Sequence, residues 1–209
     1  MVVHSPAATL PSPREQAQAL VGRDLQQAEW AALVGAPDEA TVDVMADHGD
    51  YRPAVRLDLT HGWLEGPAIR FVYRDPLGMV AIRNQFLHVR DEAPDGVAVR
   101  LLAQQVQAAR ALGVAYLAAE AAGGPGSPFV GYFVWPRLGF TGPLPEAARR
   151  RLPPVYGDVA DVLDLVLRPG GADWWRRHGR SFEATFDLRE GSRSLAALTA
   201  YTQRKGIRL

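Results

Sequence analysis

Residues 86–113, FLHVRDEAPDGVAVRLLAQQVQAARALG, are where residue types and spacing most plainly permit chemistry. A strand-like run leads into a loop carrying Gly96 and Ala98, and a helix begins there. The start of a helix offers unpaired N–H groups and the positive end of its dipole, and small residues let an anion approach that backbone. The backbone from Gly96 through Val97, Ala98, Val99 and Arg100 is therefore a candidate anion cradle; the alternative is a tight helix start with no ligand. On the preceding strand, one face carries Val80, Ile82, Asn84, Phe86 and His88, so Asn84 and His88 interrupt an apolar surface. Histidine has an ordinary pKa near neutrality, which suits proton transfer, but a histidine at a strand end can equally be a solvated bystander. Asn84 cannot act as a base, although it can orient a water or a carbonyl. Glu120 and Tyr132 add a carboxylate and a phenol further along the chain.

Other chemistries find little support. Without cysteine there is no thiolate nucleophile, no disulfide and no cysteine-based zinc site. The five histidines show no metal-ligand spacing, so no metal is expected, and no G-x-S-x-G elbow is present. The loop at 123–128 is rich in Gly and Pro but lacks the G-K-[S/T] of a phosphate loop. With 23 basic against 23 acidic residues the net charge is zero, which argues against nucleic acid as the main partner. Arg149-Arg150-Arg151 and Trp174-Trp175-Arg176-Arg177 read as solvated arginine faces and aromatic packing. No window approaches the roughly 20 apolar residues of a membrane span, and residues 1–15 show no basic start or apolar core of a secretory leader. A cytoplasmic protein with no membrane partner is the expectation.

These residues need elements to position them. Ser12, Pro13 and Glu15 form a capped helix start, and the pattern predicts a helix over 13–34 stopped by Gly35. Strands are predicted at 41–45, 54–60, 68–74 and 79–89, with turns at 47–50 and 75–78, so the four form an antiparallel meander. In 68–74, Ile69, Phe71 and Tyr73 share one face. Val99, Leu102, Val106 and Ala109 mark a helix over 97–112, and an apolar run at 114–119 reads as a buried strand. Strand, helix, strand is a crossover, so the class is α/β with a mixed sheet and flanking helices. Helices at 145–152, 158–167, 171–178 and 192–205 and a strand at 182–188, expected to join the main sheet, make a C-terminal extension.

The motifs resemble the GNAT superfamily of N-acetyltransferases. Gly96-Val97-Ala98 matches the G-x-[G/A] of the family's pyrophosphate signature, and Leu101-Leu102 follow at its usual distance. Residues 109–114, ARALGV, are similar to its A-x-x-L-G phrase, and Trp135-Pro136-Arg137-Leu138-Gly139-Phe140 to its Y-x-[K/R]-x-G-F ending. The likeness covers roughly residues 41–140. Ala93 stands where the signature begins with Gln or Arg, and Trp135 where many members carry a tyrosine acid.

The resemblance implies a GNAT-like sheet and a division into an N-terminal helix (1–40), an acyl-CoA-binding core (41–142) and an extension of the same domain (143–209). It implies transfer of an acetyl or other acyl group from acetyl-CoA or a related acyl-CoA to a small-molecule or protein amine. The backbone of Leu87, His88 and Val89 would bond the pantetheine arm, and the amides of Val97, Ala98, Val99 and Arg100 the pyrophosphate. His88 or Glu120 would be the base, Asn84 a water-holder, and Tyr132 the acid, with packing as the competing role for Tyr132. The alternative is a GNAT-fold binding module without catalysis, and a homodimer is left open.

Overall fold

Ser12 and Glu15 cap each other as their spacing requires: the Ser12 N–H donates to Glu15 Oε2 at 2.7 Å, and the Glu15 N–H to Ser12 Oγ at 3.3 Å. The computed structural model describes residues 12–47 and 54–207. The turn at 47–50 therefore lies, beyond Asp47, outside the described residues. The first helix is two helices rather than one: α1 (Pro13–Val21) ends where Gly22 turns left-handed at φ 77°, and α2 (Gln27–Val34) follows. The Gly22 N–H bonds back to Gln18 O, which closes α1, and Glu29 receives the Gln26 N–H, which opens α2. The break lets each short helix bury its own residues, Leu20 from α1 and Trp30, Leu33 and Val34 from α2.

The meander forms as β1 (Thr41–Asp47), β2 (Ala54–Thr60), β3 (Ala68–Arg74) and β4 (Val80–Phe86), each antiparallel to the next. Alternation in β3 is as the sequence predicts, yet the face turned into the core is the one holding Ala68, Arg70 and Val72, while Ile69 and Phe71 are only half-buried. Register explains it: Arg70 and Val72 sit opposite Leu57 and Val55 of β2, whose apolar face the helices cover. β4 is shorter than residues 79–89. Ile69 pairs with Phe86 but Arg70 with Asn84, so Gln85 is an extra residue, a bulge that bends the strand end.

Helix α3 (Val97–Ala111) then crosses to β5 (Tyr116–Ala121), which runs parallel to β4 and starts later than residue 114. Short α4 (Gly131–Arg137) continues through Pro136. The chain returns along the sheet edge, where Thr141 and Thr185 exchange N–H···O bonds of 2.8 and 2.7 Å. Of the helices predicted at 145–152 and 158–167, only α5 (Glu146–Arg149) and α6 (Val162–Leu167) form. Asp161 explains the later start of α6, because its Oδ1 caps the Asp164 N–H at 2.8 Å. Then come α7 (Gly171–His178), β6 (Phe182–Asp187) and α8 (Arg193–Arg204). The last strand joins the main sheet as expected, giving the order β1-β2-β3-β4-β5-β6, a mixed six-stranded α/β sheet.

One apolar cluster runs from Ala17 in α1 to Leu198 in α8, with Leu57, Ile82, Leu117, Phe140, Trp175 and Phe186 fully buried. The α2–α3 contact is close enough to demand glycine: a Cβ on Gly35, at φ 70°, would lie 1.9 Å from the Leu101 carbonyl oxygen. Gly22 shares the left-handed φ but has no atom within 4 Å of such a Cβ. Gly22→Ala should therefore cost only the backbone penalty, about 1–2 kcal/mol. Gly35→Ala adds the clash and should cost roughly 3 kcal/mol or more in urea unfolding. Equal losses would mean that the two helices are not packed as described.

Candidate functional site

The parallel pair β4·β5 parts at one end. Pairing runs from Ala81 opposite Tyr116 to Asn84 opposite Ala119 and stops, although each strand continues for two more residues. Two buried polar groups lie at that point. Asn84 forms a closed carboxamide pair with Gln105 of α3, both bonds 3.0 Å, and Gln105 Nε2 also donates to Leu33 O at 3.0 Å. Asn84 is thereby part of the core, where its pair ties α2, α3 and β4 together. Beside it Arg70, 2% exposed, donates through Nη1 to Phe86 O at 2.8 Å and Ile69 O at 3.0 Å. Burial pulls its pKa down to about 10, far above neutrality, so it remains a cation inside the sheet.

Beyond the bulge the chain is held from one side only. The Glu65 N–H donates to His88 O at 3.0 Å, the Arg90 N–H to Trp63 O at 2.9 Å, and Arg90 Nε to Leu64 O at 3.0 Å. Leu64 and Val89 form the bridge between the two segments. Among the described residues, the N–H and C=O of Leu87 and Val89 make no backbone hydrogen bond. The loop from there leads directly into α3, whose start is set by Gly96 at φ 78°. The Val97 N–H donates to Pro94 O and the Arg100 N–H to Gly96 O, so the amides of Ala98 and Val99 are the two left without an acceptor among the described residues. The cradle expected of four amides thus has two to offer. Ile207 packs over it: a Cβ on Gly96 would meet Ile207 Cδ1 at 2.8 Å.

The remaining candidates have separate surroundings. His88 is exposed, with Nδ1 3.1 Å from Glu65 Oε2. Glu120 is exposed at the end of β5 and lines a cavity of about 600 Å³ with Phe129, Arg180 and Ser181. Tyr132 is buried; its hydroxyl donates to Arg176 O at 2.7 Å, and its carbonyl accepts from Trp175 Nε1 at 2.7 Å. Trp135 packs against Phe140 with the rings tilted at 59° and centroids 4.6 Å apart. Sequence reasoning passed over Arg70 and Gln105. Gln105 follows Leu101 by one turn on the apolar side of α3, a signal visible once that face is drawn as a helix; Arg70 stands between Ala68 and Val72, and only register reveals that this face is the buried one.

Among the described residues no helix is long and apolar enough to cross a membrane, and no three His, Cys, Asp or Glu side chains gather as a metal set. No family model matches the chain, and neither a curated protein nor a solved structure matches it.

The Asn84–Gln105 pair makes a specific claim on stability. Gln105→Leu strands the Asn84 carboxamide and Leu33 O, and should cost about 1–3 kcal/mol. In a double-mutant cycle, adding Asn84→Val should cost markedly less than it does in the wild type. Strict additivity of the two denaturation midpoints would show that the amides do not pair.

Proposed function

We propose that this chain is a GNAT-type N-acyltransferase, moving an acetyl or related acyl group from acyl-CoA to an amine. The observation that carries the reading is the parting of β4 from β5 after Asn84 and Ala119, with open backbone groups at Leu87 and Val89 and open amides at Ala98 and Val99. Backbone N–H and C=O facing one way along an extended segment can take an amide-bearing arm as a further strand. The pantetheine of acyl-CoA is such an arm. Two free amides at the start of a 15-residue helix suit its pyrophosphate.

In this reading the acceptor nitrogen attacks the thioester carbonyl directly. A C–N bond forms, the C–S bond breaks, and the thiolate takes up a proton. Glu120 is the favoured base: it is exposed, it borders a cavity, and its carboxylate has no ion-pair or hydrogen-bond partner among the described residues. His88 is second, since Glu65 already holds it. Tyr132 would have to leave Arg176 O to act as an acid, so we assign it to packing and the thiolate's proton to water. A cytoplasmic location goes with this reading in a chain that has no cysteine. The engaged Tyr132 hydroxyl favours, as the second reading, a GNAT-fold binding module without catalysis.

Calorimetric titration with acetyl-CoA is the direct test. Binding is expected, and the absence of heat at millimolar ligand, roughly tenfold above a weak Kd of about 100 μM, would reject the reading. The probing substitution is Ala98→Asp, because Gly96 must keep its left-handed backbone. A carboxylate in the first turn suits the helix dipole, so folding should hold or gain about 0.3–1 kcal/mol. Acetyl-CoA affinity should nevertheless fall more than tenfold, about 1.4 kcal/mol or more. Glu120→Gln should lower turnover of an amine acceptor by roughly 100-fold with binding intact, while Tyr132→Phe should leave turnover unchanged. Binding without turnover in the wild type would establish the second reading.

A further inference from the structure

A cavity of about 400 Å³ opens between the loop from α2 to β1, the loop from β2 to β3 and the first turns of α3. That size falls within the range of small-molecule sites. Its floor is apolar, from Val97 and Leu101, and one wall is Trp63. Charge is distributed around it unevenly. Asp38 and Glu39 supply two carboxylates, and Arg100 supplies one guanidinium. Among the described residues none of the three has an ion-pair or hydrogen-bond partner for its side chain. Elsewhere arginines are commonly matched locally, as at Arg56–Asp58 and Arg189–Asp187. Here the three charges of one cavity lack such a partner.

Two further features hold the cavity in shape. Glu39 is the one non-glycine residue among those described with a left-handed backbone, at φ 65°. Such a conformation costs free energy and concentrates at sites where a side chain must be placed. Across the cavity, the Trp63 N–H donates to His61 Nδ1 at 3.1 Å, and the two rings meet edge to face at 4.3 Å. An accepting Nδ1 leaves the proton of a neutral ring on Nε2, as a donor. The Trp63 carbonyl is held in turn by Arg90.

We propose that this cavity is a binding site for a basic α-amino acid, a ligand with one carboxylate and two ammonium groups. Its carboxylate pairs with Arg100, and its two cations complement Asp38 and Glu39, with the alkyl stem over Leu101 and an ammonium group against the Trp63 face. The charge count selects this class: two carboxylates against one guanidinium leave a deficit of one positive charge, which a neutral zwitterion would not fill. The inference does not rest on the acyl-transfer reading.

The test uses the whole chain without any acyl-CoA, so its result is independent of that reading. L-lysine is titrated calorimetrically beside 1,5-diaminopentane, which lacks the carboxylate, and 6-aminohexanoate, which lacks the α-amine. Lysine is expected to bind at least tenfold tighter than either. Arg100→Met, which keeps an apolar stem, should erase the preference over the diamine. The pair Asp38→Asn and Glu39→Gln should erase the preference over 6-aminohexanoate and weaken lysine at least tenfold. All three positions are exposed or half-exposed, and unchanged melting curves would confirm that the variants fold. No heat with lysine at about 10 mM, or equal binding of the three probes, would overturn the proposal.

Discussion

A buried guanidinium and a buried carboxamide pair hold the centre of the sheet, and neighbouring elements supply acceptors to Arg70 Nη1 and to the carboxamides, while Arg70 Nε is left without one. Burying a cation without a carboxylate is costly, so Arg70 is tolerable only with strong acceptors within reach. The carbonyls of Ile69 and Phe86 are those acceptors. The bulge at Gln85 brings Phe86 O to the guanidinium, and the same bulge ends the regular ladder of β4. Directly opposite Arg70 on β4, Asn84 and Gln105 complete each other's hydrogen bonds and draw in Leu33 O. The point where β4 leaves β5 is thus fixed by polar groups that have no access to water, and the open backbone of Leu87 and Val89 follows from it.

The C-terminal third closes the core from the other side. β6 covers the edge of β5 that the crossover leaves unpaired, and Thr141 then pairs with the outer edge of β6. Trp175 of α7 is wholly buried and donates to Tyr132 O, while Tyr132 donates to Arg176 O, so α4 and α7 are joined by two reciprocal bonds. Phe140 lies between Trp135 and Phe186. The aromatic residues near the parting of the strands are therefore invested in packing.

Electrostatics repeats this division of labour. Arg83 and Glu183 reach across β5 in a bidentate pair at 2.8 and 3.1 Å, and Arg168 and Arg193 tie α6 to its surroundings through Asp158, Asp164 and Asp161. Exposed pairs of this kind contribute little each, but they neutralise a chain in which one lysine accompanies 22 arginines.

Local rules in the chain determined a good part of this. The Ser12–Glu15 box, the helix stop at Gly35, the meander and the span of α3 were legible because each depends on neighbours within a few residues. The break at Gly22 was missed because a helix pattern of period 3.6 continues across it, and only the packing of Trp30 and Leu33 makes two helices better than one. Face assignment in β3 was equally beyond the sequence: alternation offers two faces, and register against Leu57 and Val55 selected the one with Arg70. The candidate site divides in the same way. The helix start at Gly96 was readable, since spacing and small residues define it. Which of its amides stay open, that Asn84 turns to Gln105, that Tyr132 spends its hydroxyl on Arg176, and that His61, Trp63, Arg100 and Glu39 share a cavity were decided by contacts between segments tens of residues apart. A polar side chain looks the same in sequence whether its partner is a ligand or a distant carbonyl, and only the tertiary structure brings one of them within hydrogen-bonding distance.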